Sequence, residues 1–338
     1  MKKLNVIQIG TKHDHSRPTF QSAKELPDYE VLGWYEPDEA FRETSRSWWE
    51  FADSHEFTSL DEVWAAPDLD AVIIETEESK LTEYALLAAQ RGLHVHMDKP
   101  GSPEIENFTR LLDVCREKKL AFQIGYMYRY NPAVLHALEL LRSGELGEII
   151  SVEANMGCLH PAEKRNWLGQ YKGGMMYYLG CHLVDLVYLF QGMPEKVIAM
   201  NKCSGLDGVT AEDHGAAAFI YPNGTSFIRT SAVEVNGFTR RQLVIVGSKA
   251  TVEINPIERF TGPDSVLDCE MKESFAVDAV KVGWNECGKV TKYPPFHRYN
   301  DMMTEYAAMV RGEKENPYTL DYELTVQKLV LDACDIQY

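Results

Sequence analysis

Five short apolar runs, rich in β-branched residues, recur through the first 125 positions: Leu4–Ile9, Tyr29–Tyr35, Ala71–Ile74, His94–Met97 and residues 120–124. Helix-length segments separate them. Strands that are apolar on both faces are stable only where both faces are covered, so this alternation predicts a parallel, doubly wound sheet with helices on either side. The punctuation agrees: Pro37 and Pro103 suit first helical turns, Ser59 and Glu62 have capping-box spacing, and Gly92 ends the periodic run before it. In such sheets ligands bind beyond the carboxyl ends of the strands.

After Gly125 the pattern changes. A helix is expected from Asn131-Pro132, then strands over 149–155, 197–202, 215–220, 225–235, 242–246 and 251–254, with a hairpin turn at Pro222-Asn223-Gly224. Helices are expected over 175–190, 299–310 and 322–334. A chain of 338 residues exceeds the roughly 250 to 300 at which single cores stop growing. Two domains are therefore expected, a Rossmann-like domain over 1–125 and an α/β domain with a large, mostly antiparallel open sheet over 126–338, packed with a cleft between them. A sheet with helices on one face leaves the other to a second subunit, so a homo-oligomer, dimer or tetramer, is expected.

Charge narrows the partners. With 34 basic against 51 acidic residues and a formal charge of −17, the chain is a poor match for a phosphate backbone, so no nucleic acid is expected. No apolar run approaches the roughly 20 residues of a membrane span, and the run behind Met1-Lys2-Lys3 is too short and interrupted for a leader. Seven scattered cysteines without a C-x-x-C pair suit reduced thiols in cytoplasm and offer no metal knuckle.

The loop after the first strand reads Gly10-Thr11-Lys12-His13-Asp14-His15. A dinucleotide fingerprint would have glycine at 12 and glycine or alanine at 15, and only Gly10 is kept. Imidazoles and carboxylates bind divalent ions, but neighbours in sequence rarely point to one centre, so no metal is expected at His13-Asp14-His15. Glu36, at the end of the second strand, is placed to bind ribose hydroxyls and would repel a 2′-phosphate, which favours NAD over NADP. Further on, His94-Val95-His96-Met97-Asp98-Lys99-Pro100 puts a Lys-Pro pair at a strand end, and Gly173-Gly174 opens a segment through Tyr178, His182 and Asp185.

In these motifs, with Gly125 to Pro132 and Val246 to Thr251, the sequence resembles the Gfo/Idh/MocA oxidoreductases across nearly its whole length. The resemblance implies a Rossmann domain, an open α/β domain and NAD(P)-dependent chemistry on a sugar, inositol or related hydroxyl compound. It maps the family's lysine to Lys99, its histidine to His182 and a polyol-contacting acid to Asp185. Three departures stand out: Lys12 and His15 replace fingerprint glycines, Asp98 precedes Lys99 in place of Glu, and Tyr178 takes the place of the helix motif's first Asp.

Alcohol oxidation needs a base for the hydroxyl proton and a cation or donor for the developing oxyanion. Lys99, His182 and Tyr178, one helical turn before His182, are the expected proton-handling residues. Expected cofactor contacts are Gly10, Thr11, Lys12, His13, Glu36, Thr76, Lys99, Pro100 and Trp167; expected carbohydrate or polyol contacts are Arg129, His160, Lys164 and Asp185. The segment His160 to Trp167 is expected to form a loop over the cleft. Two other activities are compatible with these residues: a redox-neutral glycoside-cleaving enzyme that retains NAD, and a non-catalytic sugar sensor.

Overall fold

The computed structural model describes residues 2–262 and 265–338. It groups into two compact units, Met1–Tyr126 with Tyr299–Gln327, and Met127–Arg298 with Lys328–Tyr338.

The first unit is a five-stranded parallel sheet in the order β2-β1-β3-β4-β5, with β1 Leu4–Ile9, β2 Tyr29–Tyr35, β3 Ala71–Ile74, β4 His94–Met97 and β5 Phe122–Ile124. Every residue of β3 is buried, as an apolar run covered on both faces requires. Pro37 and Pro103 stand just outside their helices, whose caps are Asp38 and Glu104; the Asp38 carboxylate accepts from the N–H groups of Ala40 and Phe41. Ser59 caps its helix through the Glu62 N–H, and the Glu62 carboxylate accepts from the N–H and hydroxyl of Thr58. The helix Asn300–Val310, expected with the later domain, groups with this sheet: Ser22 donates to Asn300, Tyr29 to the Met303 carbonyl and Gln123 to the Met302 carbonyl.

The second unit holds an eight-stranded sheet built from β6 Ile149–Gly157, β7 Lys196–Ala199, β8 His214–Tyr221, β9 Gly224–Ser231, β10 Gln242–Gly247, β11 Ala250–Ile254, β14 Glu270–Phe275 and β15 Lys289–Lys292. Three short strands, β12 Arg259–Phe260, β13 Val266–Asp268 and β16 Phe296–His297, form a sheet of their own. The large sheet runs β15-β14-β11-β10-β6-β9-β8-β7, antiparallel except for the β6–β9 pair. β8 and β9 join through Pro222 and Asn223, with Tyr221 opposite Gly224, which is the expected hairpin. Val152, Ala154 and Met156 of β6 are buried on the side of the helix Cys181–Gln191, whereas Ile198, Met200 and Phe227 are exposed. Among the described residues no helix is long and apolar enough to cross a membrane.

Candidate active-site residues in the two units

In the first unit the strand ends carry the polar residues. Gly10 has φ +93°, and a Cβ there would lie 2.3 Å from the Thr76 backbone nitrogen, so the end of β1 passes against the end of β3 only because the residue is glycine. Glu36 is buried and already engaged: one carboxylate oxygen accepts from Thr11 N at 2.7 Å and Thr11 Oγ1 at 2.8 Å, the other from Asp38 N at 2.8 Å. Burial raises its pKa, and these hydrogen bonds oppose the rise. A carboxylate has about four acceptor sites, so part of its capacity remains. Lys12, expected beside a pyrophosphate, pairs with Asp38 at 2.5 Å and Glu77 at 3.7 Å and lies over the Phe41 ring.

A dense polar cluster lies next to this loop. His13, His15 and Asp98 each offer a donor atom, all within 4.8 Å of one another. Glu75, directly after β3, brings a fully buried carboxyl 3.4 Å from His13 Nδ1. Burial pushes His13 down to about 3, so its ring is neutral at ordinary pH. Burial and the Asp98 charge push Glu75 well above the usual carboxylate range. Burial also penalises the Asp98 anion, but the charge and hydrogen bond of His15 and the Lys99 ammonium hold it well below that range. Lys99 is buried, follows Asp98 at the end of β4, and donates its N–H to the Asp98 carboxylate at 2.6 Å; the Lys99–Pro100 peptide is cis. The Tyr299 ring lies 5.6 Å from the His15 ring.

Sequence reading passed over Glu75 and treated Asp98 only as a substitution. The available signal was an acid directly following the last apolar residue of each of two strands, Ile74 and Met97.

In the second unit, Gly174 has φ +44° with Glu212 O 2.2 Å from its would-be Cβ, and it leads into a π-helical turn over Met176–Gly180 and then the helix Cys181–Gln191. Such turns are rare and recur at functional sites. Tyr178 sits in this turn. The rings of Trp167 and His160 stand edge-on to it at 5.7 and 6.2 Å, and Lys164 Nζ lies 4.8 Å from its centroid and 3.9 Å from that of Trp167. Residues 162–167, expected as loop, form a short helix, and this is what gathers Lys164 and Trp167 on one side.

His182 is buried, its ring edge-on to Tyr128 at 5.0 Å. Tyr128 is braced in turn: its hydroxyl donates to Glu258 at 2.5 Å, and Glu258 also accepts from Arg241 at 2.6 Å and Arg298 at 2.9 Å. Arg129 and Asp185, both expected to contact substrate, pair with each other: Nε and Nη2 of the arginine donate to the carboxylate at 3.0 and 2.7 Å, and both side chains are about 1% exposed. This buried bidentate pair makes a positioning part evident for Arg129, which directly follows Tyr128 in sequence and is fixed to the helix of His182.

A nicotinamide dinucleotide fits these residues in part. The first unit keeps the close strand approach at Gly10, the acid ending β2 and the lysine ending β4, while Lys12 and His15 occupy positions that the fingerprint leaves to small residues.

Comparison with known proteins accords with this reading. Residues 4–126 match the family described as an oxidoreductase family with an NAD-binding Rossmann fold, and residues 134–253 match the GFO/IDH/MocA C-terminal domain. A D-xylose 1-dehydrogenase (NADP(+)) of Haloferax volcanii is 31% identical over 171 residues, 48% of this chain and 52% of that protein. A scyllo-inositol 2-dehydrogenase (NADP(+)) of Bacillus subtilis is 26% identical over 44% of this chain and 42% of that protein, so the chain spans about half the length of these curated relatives. A levoglucosan dehydrogenase solved with NADH and levoglucosan shares the fold, with TM-score 0.80 and 16% identity over 99% of this chain and 98% of that one. The chain belongs to the Gfo/Idh/MocA family of oxidoreductases, with the NAD-binding type of Rossmann fold followed by that family's C-terminal domain.

Proposed function

We propose that this protein is an NAD-dependent oxidoreductase that oxidises a hydroxyl group of a sugar, glycoside or inositol-like polyol by hydride transfer. The observation that carries the reading is the grouping of Tyr178, Trp167, His160 and Lys164 at the π-turn leading to His182, because it joins aromatic faces, which suit the apolar C–H faces of a sugar, to polar tips that suit its hydroxyls. The dehydrogenases of xylose, scyllo-inositol and levoglucosan among its relatives support the substrate class.

Gly10, Thr11, Glu36, Thr76, Lys99 and Pro100 are the residues that would hold the dinucleotide, and its nicotinamide would supply the hydride acceptor. Glu36 favours NAD, since a carboxylate repels a 2′-phosphate. The remaining work falls to side chains. His182 or Tyr178 takes the hydroxyl proton, Lys99 provides a cation for the developing oxyanion, and Lys164, His160 and the rings around them orient the polyol. The Arg129–Asp185 pair fixes the His182 helix. We place the protein in cytoplasm as a homo-oligomer; the scattered cysteines support the first, and the exposed Ile198, Met200 and Phe227 on the open sheet face support the second.

The test supplies purified protein with NAD or NADP and a panel of aldoses, glycosides and inositols, and follows formation of the reduced nicotinamide. Turnover on at least one polyol with NAD is expected. Release of an aglycone without net reduction would move the assignment to redox-neutral glycoside cleavage.

A further inference from the structure

We propose that the first unit carries a site for a divalent transition metal, zinc or an ion of similar preference, formed by His13, His15 and Asp98 with Glu75 as a further oxygen ligand. The sequence argument against a metal was that His13 and His15 are too close along the chain to point to one centre. The fold removes it, because β1, β3 and β4 are neighbours in the sheet and their carboxyl ends deliver the His13 loop, Glu75 and Asp98 to one place.

Three of the six ligand-atom separations are those of a coordination shell, and the His13, His15 and Asp98 atoms all lie within 4.8 Å of one another. Asp98 Oδ2 lies 3.1 Å from His15 Nδ1 and 3.4 Å from His13 Nδ1, and Glu75 Oε2 is 3.4 Å from the same His13 nitrogen. Ligand atoms at about 2.1 Å from a tetrahedral zinc stand roughly 3.4 Å apart. His13 is also oriented as a ligand. Its Nε2 lies 3.2 Å from the Lys99 carbonyl, which only accepts, so the proton sits on Nε2 and the Nδ1 lone pair faces the carboxylates. A backbone carbonyl holding the far nitrogen is the usual second partner of a metal-bound histidine. The long contact from His15 N–H to His13 Nδ1, at 3.2 Å, agrees with this tautomer and is the bond a metal would displace.

Glu75 supplies an independent observation. It is fully buried, with the Thr19 hydroxyl and the Asp98 carboxyl near enough to share a hydrogen bond loosely, yet neither of its oxygens has a hydrogen bond of good geometry with a described residue. A buried carboxyl in that state costs free energy, and a cation facing it would remove the cost. Two imidazoles with carboxylates form a nitrogen and oxygen donor set that suits zinc, cobalt(II) or iron(II) better than magnesium or calcium. The metal would brace the turn that carries Lys99, since His13 holds the Lys99 carbonyl and Asp98 its N–H.

The test strips the full-length protein with a chelator, titrates it with zinc and separately with cobalt(II), and measures bound metal by mass spectrometry and the cobalt visible spectrum. One ion per chain is expected, with the intense bands of a four- or five-coordinate site, and His15→Ala and Asp98→Asn should each weaken uptake by about 100-fold or more. No uptake by the folded wild-type protein overturns the proposal, as does uptake that both substitutions leave unchanged. If either variant fails to fold, the wild-type cobalt spectrum decides: the weak bands of a six-coordinate aquo ion contradict the site.

Discussion

Asp185 and Glu75 are both buried carboxylates, and their surroundings are opposite. Asp185 receives the Arg129 guanidinium through two nitrogens, so its charge is neutralised and its geometry fixed by a partner on the same unit. Glu75 faces a second carboxylate and the His13 imidazole, with the Thr19 hydroxyl and the Lys99 charge nearby, and neither of its oxygens has a hydrogen bond of good geometry with a described residue. A saturated pair holds a fold in one shape; converging acceptors call for a proton or a cation. On this reading the second unit contributes a rigid scaffold around His182, and the first unit keeps its unbalanced groups at the strand ends where a Rossmann fold binds ligands.

The largest effect expected on this contrast is thermodynamic. Asp185→Ala would take the bidentate carboxylate from the buried Arg129 guanidinium, at a cost of about 3–5 kcal/mol, read from urea denaturation. A loss under about 1 kcal/mol would show that the pair is not what holds the His182 helix.

Next come the residues assigned to chemistry. Lys99→Ala and His182→Ala should each lower turnover by about 10²-fold or more, with NAD affinity changed far less. Tyr178→Phe should fall comparably and alter the alkaline limb of the pH–rate profile. A near-normal Phe variant would leave His182 as the base and reduce Tyr178 to packing against Trp167.

Glu36→Ala should weaken NAD binding by about tenfold in calorimetry, the scale of one charged hydrogen bond, and weaken NADP less. Equal losses for the two dinucleotides would limit Glu36 to shaping the Thr11 loop.

The smallest effect is a pH dependence in the second unit. Burial raises the pKa of Glu258, but Arg298, Arg241 and the Tyr128 hydroxyl outweigh it and hold the carboxyl below its ordinary 4.5. A depressed folded-state value contributes stability that is present above the unfolded value and is lost as pH falls through the folded one. The urea midpoint should therefore drop on acidification below 4.5, and Glu258→Gln should flatten that drop. An unchanged slope in the variant would assign the acid limb to other carboxylates.

The legible parts of the chain were those where one physical signal dominated. β1 to β4 were readable to the residue because covered parallel strands are apolar on both faces. β14 and β15 were not, since Glu270, Lys272 and Glu273 or Lys289 and Lys292 break the apolar run and pairing alone makes them strands. The helix at residues 162–167 read as loop because it is short and polar. Tyr178, His160, Trp167 and Lys164 were each named from sequence, but their grouping needs the π-turn, which periodicity does not reveal. The meeting of His15 with Asp98, 83 residues apart, was invisible for another reason: sequence order does not give strand order.

Whether the strand-end residues of the first unit bind a nicotinamide dinucleotide is tested most directly by denaturing the purified protein and identifying released small molecules by mass spectrometry, with calorimetry against added NAD and NADH. The account predicts NAD(H) in the released fraction or, if it is lost on purification, saturable NAD binding that Glu36→Ala weakens. A folded protein that releases no dinucleotide and shows no heat of binding with millimolar NAD or NADH would contradict it.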